Sequence, residues 1–460
     1  MRPGRSILVV IIAACCAAVR ASDCSKTSIG ITPLNDLGAG TYQGFAGGLY
    51  PGSSDLRPSA HDAAGLALAQ SIVPLDAGGQ PSANGKIGLM SIGMSNATQE
   101  WTAFLTLAGA DPDRHPNLAL VDGAEGGRDA RDIANPGSTY WTQTIPARLQ
   151  QYGVTAAQVL VLWLKEAVAQ PTLPFPDHAV ELNGFLRSIV QILHDTFPNA
   201  RMCFLNSRSY AGYATSDLNP EPYAFEQGFA VKWLIEDQIG GDGGLNYDPG
   251  AGPVKAPWLS WGIYMWADGL TPRSDGLIWE CDDFRSSDGT HPSDKGRLKV
   301  ARALLHHFKS DPVCTPWFLA AGKGHCGTAA FVDLYGSGTA GTNGVPRIAT
   351  TELPTVPSID PFAIQVNGAR ATSTGVFFFG VIPLDVGDLP FYGGWLLTLP
   401  SAFYLRPTDG SGRALLVFPP VPDNALLCGF HGYWQYAVAD PNGPTGVLAL
   451  TPGLLTTFGD

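Results

Sequence analysis

The sequence has no Cys-x-x-Cys pair and no His-x-x-x-His pair, so the short-range signatures of zinc and dithiol redox sites are missing. No metal and no cofactor are therefore expected. It has no basic stripe either. Lys and Arg number 28 against 40 Asp and Glu, for a net charge of -12, and a chain this acidic is repelled by phosphate backbones. Nucleic acid is excluded as a partner on that ground. Beyond the first residues there is no apolar run long enough to cross about 30 Å of hydrocarbon, so no transmembrane span is expected. Internal repeats and low-complexity tracts are also missing. What is present is ordinary globular material, 45% hydrophobic and 15% charged over 460 residues, enough for a sizeable core and two or three domains.

The amino terminus has the layout of a secretion signal. Arg2 and Arg5 precede 13 largely apolar residues from Ile7 to Val19, and small residues stand at Val19 and Ala21. This gives a signal over 1–21 and Ser22 as the mature start. A second reading makes Ile12-Ala-Ala-Cys15 a lipobox with Cys15 acylated. Either way the protein is expected to be secreted, periplasmic or held at the cell surface. The remaining cysteines, at 24, 203, 281, 314, 326 and 428, are even in number, which in an exported chain favours disulfides. Cys314 and Cys326, close in sequence, are the expected pair, and the other partners stay open.

Residues 22–85 are rich in Gly, Pro and Ser and read as an extended lead-in packed on the next domain. From 86 to 311 apolar runs at 86–92, 117–122, 158–164 and 200–206 alternate with helical stretches at 138–152, 178–197, 223–239 and 293–308. In the last of these Ser293 is placed to cap the helix before Asp294. Strand and helix at this spacing mean βαβ units around a parallel sheet, covered by helices on both faces. After a linker at 312–325 the character changes. Short apolar runs punctuated by Gly and Pro, with no period of 3.6, make residues 326–460 an all-β sandwich.

In open α/β sheets ligands collect at the carboxyl ends of the strands. The stretch Ser91-Ile-Gly-Met-Ser-Asn96 places Ser95 at the end of the first strand. A serine hydroxyl is a weak nucleophile unless a histidine takes its proton and an acid orients that histidine. Asp288-Gly-Thr-His291 supplies both within one turn, just before the last helix. Each block is common alone; in this order around an α/β pattern they are more specific.

With these blocks the sequence resembles the SGNH (GDSL-like) hydrolase superfamily, whose nucleophile follows the first strand in a Gly-Asp-Ser or Gly-Gln-Ser-Asn block and whose acid and base lie in a late Asp-x-x-His block. The Gly93-Met-Ser-Asn96 block looks closest to the variant of sialate O-acetylesterase-like and other carbohydrate esterases. The resemblance covers roughly residues 86 to 310 and implies a flavodoxin-like three-layer sheet. It implies Ser95, His291 and Asp288 as a triad, with the Ser95 N–H as one oxyanion donor. A glycine after the second strand is the other donor in that family. Asp122-Gly-Ala-Glu-Gly-Gly127 offers Gly127, with Gly126 and Gly123 as alternatives. The family's third block, an asparagine or a Gln-Gly-Glu after the third strand, is replaced by Leu162-Trp-Leu-Lys-Glu166. There Lys165 either donates to the oxyanion or pairs with Glu166.

Four more residues are expected at the substrate: Asn96 beside the nucleophile, and Arg208, Tyr210 and Glu221 after the fourth strand. Arginine suits a carboxylate or a sugar hydroxyl, and tyrosine suits stacking on a sugar. Phe225, Phe229 and Trp233 read as a helix core face, and Trp261, Tyr264 and Trp266 as core or cleft rim. Asn96-Ala-Thr98 matches a glycosylation sequon, but a glycan there would block the nucleophile. In the tail, Trp395, Tyr433 and Trp434 are either core aromatics or a sugar-stacking face, which leaves glycan binding or surface attachment open for that domain. The expected function is ester hydrolysis, with an O-acetylated carbohydrate as substrate. The rivals are an inactive carbohydrate-binding or surface protein on the same fold, and a lipid esterase or thioesterase.

Overall fold

Four strands buried at every residue dictate the first domain: β1 (Ile87–Gly93), β3 (Val159–Lys165), β4 (Met202–Asn206) and β5 (Trp258–Trp261), joined by the partly buried β2 (Leu118–Asp122). A strand with both faces apolar has to be covered twice, which only a parallel sheet between helix layers provides. The computed structural model, which describes residues 21–321, 323, 330–358, 361–422 and 425–459, has that form. All five strands are parallel, in the order β2-β1-β3-β4-β5. The helices are α1 (Ser59–Ser71), α2 (Ser95–Ala110), α3 (Ala130–Ile133), α4 (Ile145–Tyr152), α5 (Asp177–Thr196), α6 (Tyr223–Ile239), α7 (Asp294–Ser310) and α8 (Thr315–Phe318). α2 packs on α7, and α5 on α6. The chain leaves β1 for β2 in one direction and β3 for β4 in the other, so right-handed crossovers put the two helix pairs on opposite faces. This is the flavodoxin-like order, and its direction reverses between β1 and β3, which is where such sheets open a crevice.

Four helices and one strand of this domain escape the sequence pattern; α3 and α8 have four residues each, too short to show a period, and α8 falls in the expected linker. α2 starts on Ser95 itself with Met94 in the capping position and no side-chain cap, so no start signal precedes it. α1 is built from small residues with little amphipathic contrast. β5 is four residues long between Pro257 and Gly262. The stretch expected to be helical from 138 begins as a π turn, Tyr140–Thr144, and becomes α4 only at Ile145. Ser293 does cap α7, accepting the Gly296 N–H at 3.3 Å.

Residues 22–85 lie against the α/β body through specific ties. Cys24 is disulfide-bonded to Cys281, Asp268 takes the Ile29 N–H at 2.7 Å, and Arg57 grips Asp311 with two hydrogen bonds of 2.7 Å. The expected Cys314 pairing is not made. Cys314 is a free thiol in the core, 3.7 Å from His307 Nε2, and Cys203 is likewise free and buried. Cys326 lies outside the described residues, as do residues 1–20 of the expected leader 1–21, while Cys428 is disulfide-bonded.

The strand pairs of the second domain are antiparallel. Its strands are β6 (Phe331–Tyr335), β7 (Arg347–Thr350), β8 (Pro361–Asn367), β9 (Gly375–Gly380), β10 (Leu389–Phe391), β11 (Gly394–Leu396), β12 (Ala402–Leu405), β13 (Ala414–Pro420), β14 (His431–Ala439), β15 (Leu448–Leu450) and β16 (Gly453–Thr457). One sheet runs β13-β8-β7 and the other β12-β9-β14-β16-β6, with β15 alongside β14. Between them lie Phe362, Ile364, Phe377, Trp434 and Tyr436. Trp434 therefore belongs to the core rather than to a sugar-stacking face. It is 4% exposed, its indole donates to Thr456, and Phe379 and Phe418 pack on it. Tyr433 rests edge-on against Tyr335, and Trp395 is half-buried in the β10–β11 hairpin.

Candidate active site

The end of β1 answers why a glycine precedes the serine. Gly93 has φ +154°, and a Cβ there would come 2.3 Å from the Lys165 carbonyl oxygen and 2.6 Å from the Ala97 Cβ. Only glycine lets the strand turn directly into α2. The turn leaves Ser95 as the first helical residue, half-buried at the rim. No described group accepts the Ser95 N–H. An uncapped helix start presents its first donors outward.

Ser95 Oγ lies 2.9 Å from His291 Nε2. His291 Nδ1 lies 3.1 Å from Asp288 Oδ2. The other carboxylate oxygen of Asp288 accepts the N–H groups of Thr290 and His291, both at 2.8 Å, so the loop ties itself into the geometry that aims the imidazole. Partial burial pushes the Asp288 carboxyl up, but these N–H groups, then the His291 side chain, outweigh it and hold the acid below its usual range. It stays anionic opposite the imidazole. The structure thus brings together the three residues expected from the two sequence blocks, 193 to 196 positions apart.

Neighbouring segments brace that loop. Asn96 is 3% exposed and donates from Nδ2 to the Thr290 carbonyl at 3.1 Å. This corrects its expected role: it holds the histidine loop to α2 and does not face a substrate. Thr215 N–H donates to the Asp288 carbonyl at 3.2 Å, and the Ser216 hydroxyl lies 3.1 Å from that of Thr290. The segment after β4 therefore reaches across to the triad.

The loop after β2 supplies the glycines. Glu125 N–H donates to the Gly93 carbonyl at 2.9 Å, which pins the loop over the end of β1. Arg128 clasps Glu125 at 2.7 Å and Asp132 at 2.8 Å. The loop meets the serine through Gly126, where an added Cβ would lie 3.6 Å from that of Ser95, whereas Gly127, at φ +83°, has open space around it. Both glycines are exposed, and no described group accepts either N–H.

The structure commits Lys165 to Glu100. Its side chain is 2% exposed and its ammonium is shared between both carboxylate oxygens of Glu100, each at 2.7 Å. The alternative pairing with Glu166 is not made either. Glu166 accepts only the Ala167 N–H, at 3.0 Å, and its other oxygen has no partner. Burial pushes the Glu166 carboxyl well above the carboxylate range. Sequence spacing could not find the Lys165–Glu100 pair, because its members are 65 positions apart on β3 and α2.

Of the residues expected after β4, two are structural. Tyr210 is 1% exposed and donates to the Lys26 carbonyl at 2.8 Å, anchoring the amino-terminal segment. Glu221 accepts the Ala211 N–H and the Trp266 indole at 2.8 Å and the Phe225 N–H at 3.1 Å, stapling the segment to α6. Arg208 is 4% exposed, and no described group accepts a hydrogen bond from it. Phe225 and Phe229 are core residues, as are Trp261, Tyr264 and Trp266. Among the described residues no three His, Cys, Asp or Glu side chains converge as a metal site requires, and no helix is long and apolar enough to cross a membrane.

No protein-family model matches the chain, and no curated protein resembles it. Among solved structures it is similar to a protein of Bacillus subtilis at 13% identity, over 50% of this chain and 57% of that one, with a TM-score of 0.28. It is also similar to a candidate acylhydrolase of Bacteroides fragilis at 12% identity, over 54% of this chain and 96% of that one, with a TM-score of 0.29. A third is the periplasmic domain of a Salmonella Paratyphi A lipopolysaccharide acetyltransferase, at 13% identity, 47% and 81% coverage and a TM-score of 0.26. Likeness this slight carries no inference about activity, which rests on the geometry above.

Proposed function

We propose that the protein is an exported serine esterase that removes an acyl group, foremost acetyl, from an O-acylated carbohydrate. The observation that carries the reading is the Ser95–His291–Asp288 relay, with contacts of 2.9 and 3.1 Å. Ser95 Oγ attacks the ester carbonyl as His291 Nε2 takes its proton. The carbonyl oxygen becomes an oxyanion facing the N–H groups of Ser95 and Gly126, with Gly127 adjoining, and each such donor is worth about 10²–10³ in rate. Collapse expels the alcohol, which receives the proton from His291 and leaves acyl-Ser95. Water, deprotonated by His291, then releases the acid and restores the serine. Asp288 keeps the imidazole in the required tautomer throughout. Export is supported by the Cys24–Cys281 disulfide, since such bonds persist in oxidising compartments.

The test is turnover of p-nitrophenyl acetate. Wild type is expected to hydrolyse it, and Ser95→Ala to lose about 10⁴-fold or more. Equal rates would sink the esterase reading. One observation favours a second reading, an inactive binding protein on this fold: the third-strand donor of the family is absent and Lys165 is committed to Glu100. A wild-type protein that binds acetylated sugar without turnover would establish it. Activity that rises with acyl chain length would move the substrate to lipid esters or thioesters.

A further inference from the structure

The register of the sheet places Arg208 relative to the nucleophile. Gly93, Lys165 and Asn206 stand level across β1, β3 and β4. Ser95 and Arg208 each follow that level by two residues, Ser95 at the start of α2 and Arg208 in the loop after β4. The backbone beyond Arg208 runs on to the triad loop through Thr215 and Ser216. Arg208 thus belongs to the same rim as the serine.

Its surroundings lack the partner a buried guanidinium requires. Three carboxyl groups and one ammonium share its field: Glu100, Glu166, Glu221 and Lys165. Glu100 gives both oxygens to Lys165. Glu221 gives both of its oxygens to N–H donors. Glu166 is turned to the Ala167 N–H and makes no bond to the arginine. Arg208 Nε is fully enclosed with no acceptor. Removing a charge from water without hydrogen-bonding it is costly, and a ligand acceptor would relieve that cost here.

We propose that Arg208 is a carboxylate subsite and that the substrate is an acyl ester carrying an acid group. A guanidinium fork meets a carboxylate with two parallel hydrogen bonds. The unpartnered Glu166 oxygen, on a carboxyl whose proton affinity burial raises, lies in the field of the same guanidinium. The acid sits either on the alcohol, as in an acetylated uronic acid, or on the acyl chain, as in a hemisuccinate. This inference rests on the esterase reading for turnover but not for binding.

Two matched pairs separate the sources: methyl 2-O-acetyl-glucuronoside against methyl 2-O-acetyl-glucoside, and p-nitrophenyl hemisuccinate against p-nitrophenyl valerate. In one pair the charged ester should have a kcat/KM about 10–100-fold higher, the range of a charge-assisted hydrogen bond. Arg208→Gln should bring that ratio close to one, and Arg208→Lys should leave it between the two, because lysine keeps the charge and loses the fork. No preference in either pair, or an equal loss on charged and neutral esters in both variants, would overturn the subsite. The binding arm uses Ser95→Ala with glucuronate and succinate followed by calorimetry. Saturable binding that disappears in Ser95→Ala/Arg208→Gln supports the subsite even where wild type turns over no ester at all, and absence of binding to both acids refutes it.

Discussion

Replacing Lys165 by methionine separates a structural cation from a catalytic one. Lys165 and Glu100 are 2% and 1% exposed, joined by two contacts of 2.7 Å. Burial lowers the affinity of Lys165 for its proton, and Glu100 works against that shift. Removing one member strands the other charge in the core, at a cost of about 3–5 kcal/mol. Removing both, as Lys165→Met/Glu100→Leu, leaves an apolar contact of similar volume and is expected within about 1–2 kcal/mol of wild type, since a buried pair often breaks even against a hydrophobic replacement. Urea unfolding of wild type, both single variants and the double variant gives the coupling directly. The esterase rate of the double variant supplies the decisive number. With Lys165 outside the oxyanion hole, kcat should stay within a few-fold of wild type. A loss of about 10²–10³ in kcat in a folded double variant is what an oxyanion donor would produce, and it would refute the structural assignment.

Three further outcomes rest on named contacts. Asn96→Ala removes the bond to the Thr290 carbonyl and should cost about 1–2 kcal/mol in chemical unfolding; it should also lower kcat more than it raises KM, because the histidine loop loses its tie. Gly93→Ala meets the Lys165 carbonyl at 2.3 Å and should prevent soluble expression, while Gly126→Ala, whose new methyl sits 3.6 Å from the Ser95 Cβ, should keep the wild-type melting temperature and lower esterase activity. His307 is enclosed beside Cys314 and Phe204, and burial lowers its pKa to about 4 from an ordinary 6.5. The unfolded chain therefore binds the extra proton first, so stability present above about pH 6.5 is lost as pH falls toward 4. The loss is about 2–3 kcal/mol, and the gap between urea midpoints at pH 7.5 and 4.5 should narrow in His307→Gln, the remainder staying with His306, whose pKa burial likewise lowers to about 4.

What the sequence discloses and what it hides divide along physical lines. The run Val159–Leu164 is apolar at every position, and a parallel sheet is the arrangement that buries both faces of such strands, so β1 to β4 and the parallel sheet are legible, while the flavodoxin-like form is what the family resemblance implied. α2 is hidden because Met94 stands at its capping position, where a Ser, Asp or Asn would have announced the helix. Ser95, Asp288 and His291 are visible for the complementary reason. The acid and base are three residues apart, so the turn that presents them is written locally, and the serine comes after a glycine that the strand end requires.

The residues around the triad are harder to read, because polar side chains at strand ends have two uses and sequence alone does not choose between them. Asn96, Tyr210, Glu221 and Lys165 all stand where substrate contacts are expected, and each is consumed by a partner that is distant in sequence: Thr290, Lys26, Trp266 and Glu100. Arg208 comes from the same segment and has no such partner. Among the residues expected at the substrate, Arg208 is the one whose donor is left over once their intramolecular partners have been assigned. That subtraction, rather than position in a motif, distinguishes Arg208 from its four neighbours. It gives the arginine a role that disappears as soon as any protein carboxylate is found hydrogen-bonded to it.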